Sequence, residues 1–447
     1  MKWLNNTLYC MLTIAVFAAA WFMGIQAIGA IEWLILLLYF IMHQLLNRIY
    51  DGYNVNLFYS SRIFYSQGLT IVLTNVSIYL VMLVLRLRPA NLALVALMTG
   101  VQLILAFVWY RLSRAMILWY SRNLKAAFIY CDPAEIDWLE KERPLNYVND
   151  LRFIQMTDDP LEVFQQLKGI DVVYTTNLKI HNRKELLNYC LEKNIMIFFK
   201  PEISEVIMMG ARPIRGFNNL ILGIGRFDGS VEFKVVKRLM DVVLSLSALI
   251  LFSPVMLLIA LAISIEDNGP ALYRQIRLTK DGRPFTMYKF RSMRIDAEKD
   301  GEARLASEND DRITAVGRIV RMIRFDELPQ LFNILKGDMS IVGPRPERPE
   351  IMARYIETLP EFALRLQVKA GLTGFAQIYG RYDSTPEDKL NMDLYYIGHP
   401  SIVNELRIIV ATIKVLFLRE STKGVVEGQV TAVRELNPQL KRSPDKE

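Results

Sequence analysis

Long unbroken apolar runs fill the first quarter of the chain and then give way to short apolar stretches set between polar ones. Residues 8–30, 31–46, 69–85 and 92–110 each approach the ~20 residues a helix needs to cross a bilayer core. The polar breaks between them are short, so the pattern predicts four transmembrane helices over residues 1–122. A cleaved leader ending near Ala18–Ala20 competes for the first run, but three further runs follow at once. Arg48 and Arg62 follow the second run, and Arg111, Arg114, Arg122 and Lys125 follow the fourth. By the positive-inside rule those segments and both termini are cytoplasmic; Arg86 and Arg88 run against the bias.

From Lys125 the period changes. Apolar stretches at 126–130, 151–156, 171–176 and 195–199 alternate with helical patterns at 133–141, 160–167 and 182–193, which predicts a small parallel α/β sheet. This Rossmann-like domain spans 123–216. The turn after its first strand, Cys131-Asp132-Pro133-Ala134-Glu135, lacks the glycines that let a backbone approach a pyrophosphate. A cytoplasmic module without a cofactor motif is therefore expected. Residues 217–232 read as a linker and 424–447 as a polar tail, which leaves 233–423 as a further domain between them.

A further apolar segment, 242–265, carries Ser253-Pro254 near its middle. Proline removes a helical hydrogen bond and crowds the preceding turn. Lys234, Lys237 and Arg238 precede the segment and Arg274, Arg277 and Lys280 follow it, which draws both ends to the cytoplasmic face. A kinked crossing helix fits the length, but it would strand the basic region beyond it outside. The charge flanks favour a re-entrant helix over 236–265, broken at Ser253 and Pro254.

Composition narrows the chemistry. The chain has 447 residues, 52% of them apolar, and a formal charge of +7, which suits membrane lipid and phosphorylated substrates and gives no support to nucleic acid as partner. Cys10, Cys131 and Cys190 are scattered and histidine occurs three times, so neither a disulfide framework nor a zinc site is indicated.

The candidate chemistry lies past the re-entrant segment. Basic residues recur in 273–277 and 288–294, and residues 312–325 place Ile313, Val316, Val320 and Ile323 at helical spacing with Arg318, Arg321 and Arg324 around them. Such a helix suits the membrane interface. Asp326-Glu327 follows, then Pro329, Gly337 and the stiff turn Gly343-Pro344-Arg345-Pro346. Asp326 would serve as a helix N-cap, with Pro329 in the first turn and Gly337 at the end. It would also serve as a carboxylate nucleophile, with a phosphate stabilised at the helix N-terminus.

Lys237–Asp241, Ser253-Pro254, the Lys289–Met293 block, Asp326–Leu331, Gly337–Ser340 with Val342–Pro346, and Val368–Arg381 resemble, in order, the signature of the bacterial sugar transferases, the monotopic polyprenyl-phosphate phosphoglycosyl transferases. The match runs from about Lys234 to Phe417, and the preceding regions look like the larger members that start exopolysaccharide or capsule repeat units. The resemblance implies a membrane α plus α/β fold: a four-helix transmembrane region, a degenerate Rossmann-like domain, and a catalytic α/β domain anchored by the re-entrant helix on the cytoplasmic face of the bacterial inner membrane. It implies transfer of a sugar 1-phosphate from a UDP-sugar to undecaprenyl phosphate through an aspartyl intermediate on Asp326, with Glu327 its partner. It further implies Mg²⁺ held at Asp326, phosphate or nucleotide contacts from Lys289, Arg291, Arg321, Arg345 and Arg381, and leaves room for a homodimer. Ala370, Phe375 and Tyr379 stand where the family commonly has proline, tryptophan and asparagine. An aspartyl-phosphate lipid phosphatase and a non-catalytic membrane scaffold are the competing functions.

Overall fold

The computed structural model describes residues 9, 11–19, 30–50, 52, 60–85, 92–121, 124–133, 135–136, 150–157, 159–176, 178, 180–216, 219–226, 229–267, 269–295, 310, 312–380 and 384–416. Arg86, Arg88, Arg122, Arg381, most of the acidic stretch before Asp310 and the polar tail lie outside them. The chain divides into two compact units, Met1–Pro201 and Glu202–Glu447.

The first unit opens with apolar helices. Residues 11–19 are helical, and α1 (Ala30–Ile49), α2 (Ser60–Val84) and α3 (Leu92–Ser121) follow. Two of these contain stretches long and apolar enough to cross a membrane, Ile63–Val84 and Leu92–Met116; α1 contributes the shorter Trp33–Ile49. Along α2 the inward stripe is Ile63, Ser66, Gln67, Thr70, Ile71, Thr74, Asn75, Ile78 and Met82, while Val72, Val76, Leu80 and Leu83 face outward. Polar side chains thus occupy the interior. Asn75 Nδ2 donates to Gln102 Oε1 at 2.9 Å, and Gln102 Nε2 donates to the Tyr39 hydroxyl at 2.9 Å and to the Thr13 carbonyl at 3.1 Å. In lipid, packing and such interhelical bonds hold helices together, because the tails are as apolar as leucine.

The same unit contains a four-stranded parallel sheet, β1 (Lys125–Tyr130), β2 (Asp150–Gln155), β3 (Val172–Thr175) and β4 (Met196–Phe199), in the order β2-β1-β3-β4. Helices α4 (Pro160–Gln166) and α5 (Ile180–Glu192) close over a core of Ala127, Ile129, Ile154, Val163, Leu167, Val173, Leu186 and Cys190. Central strands β1 and β3 are enclosed on both faces, as their continuous apolar runs require. At the carboxyl ends of the strands, Glu135 accepts a hydrogen bond from Thr176 Oγ1 at 2.5 Å.

The second unit begins with α6 (Ile203–Met209) and the hairpin β5 (Arg212–Gly216) and β6 (Asn219–Gly223). Val206 belongs to this unit's core, with Ile203 and Ile207 packed against it. Next comes α7, Val231–Asp267, 37 residues and so about 55 Å long. Pro254 has no N–H for the Ile250 carbonyl, and Ser253 Oγ donates to that same carbonyl at 2.9 Å. Helical hydrogen bonding therefore carries on across the pair.

One stripe of α7 faces its own unit along the whole length: Arg238, Asp241, Ser245, Ala248, Phe252, Met256, Ile259, Ile263 and Glu266. Leu239, Val243, Leu246, Ile250, Leu257, Leu261 and Ile265 stand exposed on the remaining surface. A helix apolar on its outer face and pegged by polar groups on its inner face is suited to lie between lipid and protein.

The rest of the unit comprises the hairpin β7 (Leu272–Leu278) and β8 (Pro284–Phe290), α8 (Ala315–Met322), α9 (Gln330–Lys336), β9 (Ser340–Val342), α10 (Pro349–Thr358), β10 (Gly371–Thr373), α11 (Phe375–Tyr379), α12 (Pro386–Gly398) and α13 (Ile402–Leu416). Strands β9 and β10 pair in parallel. Phe285, Met287, Leu331, Ile334, Met339, Met352, Phe362, Leu390 and Leu394 are buried together at the centre.

Candidate active site

Asp326 sits in a tight turn, not at the head of a helix. Thr314 caps α8, its side chain accepting from Gly317 N, and Arg324 then adopts a left-handed conformation, φ 56°. That reversal ends the helix and winds Phe325–Glu327 into a single 3-10 turn. Helix α9 starts only at Gln330, with Pro329 in the capping position. The N-cap role expected of Asp326 is therefore not realised, because the helix begins beyond it and Pro329 takes the capping position. Gly337 does close α9, at φ 91°.

Glu327 is held from two sides. Lys289 Nζ, on β8, lies 3.3 Å from Glu327 Oε1, and Arg345 Nη2 lies 3.2 Å from the same oxygen. Burial alone would raise the Glu327 carboxyl, but Lys289, Arg345 and Arg324 together hold it down to about 2. Asp326 differs: it makes no hydrogen bond or ion pair among the described residues, and burial, reinforced by the charge of Glu327, pushes it above the usual carboxylate range. Lys289, Arg321 and Arg345 pull the other way. Lys289 is itself pushed down by burial, with Glu327 opposing. One carboxylate is pinned and ionised, while its neighbour is left uncommitted.

The turn carrying Arg345 is built by close backbone packing. A Cβ on Gly343 would come within 2.4 Å of the Lys369 carbonyl, so only glycine fits. Gly343 N donates to the Thr373 carbonyl and Gly371 N to the Pro344 carbonyl, each at 2.9 Å. Arg277 Nη1 donates to the Pro346 carbonyl at 3.2 Å, and Gln275 Oε1 accepts from Arg277 Nε at 3.0 Å. Behind the turn, the guanidinium of Arg365 meets Asp393 at 2.7 Å and Glu347 at 3.5 Å, with Arg365 and Asp393 both enclosed.

Helix α7 is pinned to the same framework. Arg238 donates to the carbonyls of Ile334 and Leu335 at the end of α9, each at 2.7 Å. Asp241 accepts from Ser340 Oγ at 2.8 Å and Ile341 N at 2.9 Å. Lys237 reaches the Val342 carbonyl at 3.0 Å and pairs with Glu405, which also accepts from the Tyr396 hydroxyl at 2.7 Å.

Of the residues expected in the site, Asp326, Glu327, Lys289 and Arg345 come together, and Arg321 lies within electrostatic reach of Asp326. Arg291 is turned elsewhere, into an ion pair with Asp267 at the end of α7. Arg381 is outside the described residues. Arg365, Asp393 and Glu405 carry the framework and were not singled out from sequence; Arg277, which joins them, was noted only for the basic charge it adds after the apolar segment.

No group of three or more His, Cys, Asp or Glu side chains capable of holding a metal occurs among the described residues. A free carboxylate at Asp326 beside Glu327 nonetheless fits Mg²⁺, which is commonly held by one or two carboxylates together with substrate phosphates.

The family described as Bacterial sugar transferase matches residues 232–419, the stretch containing α7 and every site element above. An Exopolysaccharide production protein PSS from Rhizobium leguminosarum bv. phaseoli is 41% identical over 199 residues, 42% of this chain and 97% of its own. The chain belongs to the bacterial sugar transferase family. A UDP-N-acetylgalactosamine-undecaprenyl-phosphate N-acetylgalactosaminephosphotransferase from Aeromonas hydrophila is 35% identical over 236 residues, 52% of this chain and 55% of that protein. A UDP-glucose:undecaprenyl-phosphate glucose-1-phosphate transferase from Klebsiella pneumoniae is 42% identical over 192 residues, 42% of this chain and 41% of that protein. The match thus spans about half the length of these last two relatives.

Proposed function

We propose that this membrane protein transfers a sugar 1-phosphate from a UDP-sugar to undecaprenyl phosphate, the first membrane step of exopolysaccharide or capsule repeat-unit synthesis. A carboxylate oxygen of Asp326 attacks the phosphorus that bears the sugar, and the bond to the leaving UMP breaks. The phosphate oxygen of undecaprenyl phosphate then attacks the same phosphorus and displaces Asp326, giving undecaprenyl-diphosphate-sugar. Splitting the transfer in two suits a soluble donor and a lipid acceptor. The observation that carries this reading is the contrast within the dyad: Glu327 is paired with Lys289 and Arg345, whereas Asp326 has, among the described residues, no partner to surrender before attacking. Arg321 and Arg345 are the cations that accept the donor's phosphate charge, joined by Arg381 from the adjoining segment. Asp326 would hold Mg²⁺ once the diphosphate is bound, and that ion would offset the charge that accumulates there.

The re-entrant arrangement belongs to the same proposal. Contacts recur from Arg238 to Glu266 between α7 and a single compact unit, which favours both ends of the helix lying on one membrane face. Catalytic chemistry then takes place on the cytoplasmic side.

Release of UMP from candidate UDP-sugars, measured with and without undecaprenyl phosphate, tests the reading. Acceptor-dependent UMP release and a sugar-phosphate adduct on Asp326 are expected. Release of inorganic phosphate from the lipid alone would favour a phosphatase, and no turnover with any donor would favour a scaffold.

A further inference from the structure

We propose that Lys389, on α12, is a phosphate-binding residue of the active site, its ammonium contacting a phosphate oxygen of one of the two reactants. Both reactants carry phosphate, as the donor's diphosphate or as the lipid's monoester. The inference rests on the transfer reaction proposed above and adds to it a residue from an element that the dyad, the Arg345 turn and α7 do not include.

The placement follows from a chain of contacts. Lys389 and Asp393 lie four residues apart on α12, so they share one helix face. Asp393 Oδ2 takes Arg365 Nε at 2.9 Å, Arg365 reaches Glu347 at 3.5 Å, and Glu347 follows Arg345 by two residues. Arg345 in turn grips Glu327, next to Asp326. Glu347, Arg365, Arg345 and Asp393, the same residues, lie within electrostatic reach of Lys389. Its neighbours on its own helix are Glu387 and Asp388, and Asp388 is engaged with the capping residue Thr385.

What distinguishes Lys389 is that it is half-buried without being used. Its side chain makes no hydrogen bond or ion pair among the described residues. The carboxylates near it are already served: Asp393 by Arg365 at 2.7 Å, and Glu347 by Arg365 at 3.5 Å. A structural counter-ion would be paired. A partly enclosed ammonium with two arginines close by and no carboxylate of its own is instead electrostatically frustrated until an anion arrives. Burial pushes its pKa down, and a phosphate would restore it. Lys389 also lies in the opening turns of α12, whose N-terminus adds positive potential for the same anion.

The test compares Lys389→Met, Lys389→Gln and Lys389→Arg with the unaltered full chain in lipid nanodiscs. KM for the UDP-sugar at saturating undecaprenyl phosphate is measured first, and KM for undecaprenyl phosphate at saturating UDP-sugar second. The expected result is that Met and Gln raise one of the two KM values about tenfold or more, while kcat falls less, and that Arg recovers most of the loss. A raised donor KM assigns the diphosphate, and a raised acceptor KM assigns the lipid phosphate. Binding of UDP alone, followed by calorimetry, keeps the inference separable from the proposed reaction. If the unaltered chain turned over no UDP-sugar but bound UDP more tightly than Lys389→Met, the reaction would be wrong and the diphosphate contact would stand. Both KM values within twofold of the unaltered chain in the Met and Gln variants would overturn the proposal. So would a drop in thermal stability without a change in KM, which is the mark of a structural counter-ion.

Discussion

The two units of the chain bury polar groups by different rules. In Met1–Pro201 the enclosed polar side chains are neutral or nearly so, among them Gln67, Thr70, Thr74, Asn75 and Gln102, with Arg183 an exception. In Glu202–Glu447 they include Asp241, Arg291, Arg365, Asp393 and Glu405. Hydrogen-bonded neutral groups cost less to enclose than charges; Thr70 and Thr74 bond within their own helix, while Asn75 and Gln102 join helix to helix. A buried charge costs several kcal/mol unless paired, and here each is spent on holding the Arg345 turn, strand β9 or the end of α7 in place. The difference teaches that the first unit uses neutral polarity within and between helices, whereas the second uses paired charge to fix positions around the Asp326–Glu327 dyad.

The comparison breaks most sharply at the dyad. Asp326→Asn and Asp326→Ala should abolish transfer, and Glu327→Gln should leave a trace, since only the first pair removes the nucleophile. UMP release in nanodiscs measures both. Turnover by Asp326→Ala close to that of the unaltered chain would remove Asp326 from the chemistry and with it the argument from its missing partner.

A smaller but still large effect is expected behind the Arg345 turn. Asp393→Leu leaves the Arg365 guanidinium enclosed with only Glu347 at 3.5 Å, and should cost about 3–5 kcal/mol, read as a fall in thermal stability of the purified protein. A change under about 1 kcal/mol would mean that charge in this unit is no more position-fixing than the amides of the first.

Acid should separate the two carboxylates. Glu327 is depressed from its ordinary 4.5 to about 2, so the stability it contributes is fully present above pH 4.5 and is lost as pH falls toward 2. Asp326 is raised and must be ionised to attack. Activity should therefore decline on the acid side before the Glu327 contribution to stability is lost. Profiles of kcat/KM and of thermal stability against pH check the order; loss of stability ahead of activity would reverse the assignment.

The least effect belongs to the bundle. Gln102→Leu removes bonds to Tyr39, Thr13 and Asn75 and should cost only about 0.6–2 kcal/mol, with transfer per folded molecule unchanged. A loss comparable to that of Asp393→Leu would erase the contrast between the units.

Much of the architecture was legible in the pattern of residues, because period and length suffice for long apolar helices and parallel strands. The expected strand 126–130 is Lys125–Tyr130, and the expected helix 182–193 is Ile180–Glu192. What escaped is set by contacts distant in sequence. Arg291 lies 24 residues beyond Asp267, its partner, and no periodicity announces that pairing. The Arg365–Asp393 bond spans 28 residues, and each residue alone reads as an ordinary surface charge. Asp326 looked like a cap because aspartate is a favoured N-cap and Pro329 and Gly337 fall where a first turn and a helix end would be; the positive φ at Arg324 and the turn after it, invisible in the letters, precede a helix that starts only at Gln330. The boundary of the first α/β domain was drawn at Gly216, yet Val206 packs in the second unit's core, and α6 carries no mark of which core it will join.

Phe252 on α7 meets Phe325 edge-on, ring centroids 5.9 Å apart, and Phe325 is bonded to Asp326. The carboxylate proposed to react is thereby indexed to a helix whose outer face carries leucine and isoleucine, two residues from the proline near its midpoint. Depth would then become a coordinate of the proposed chemistry: the thickness of the surrounding lipid, acting on how α7 sits, would set the level at which a lipid-borne phosphate meets Asp326.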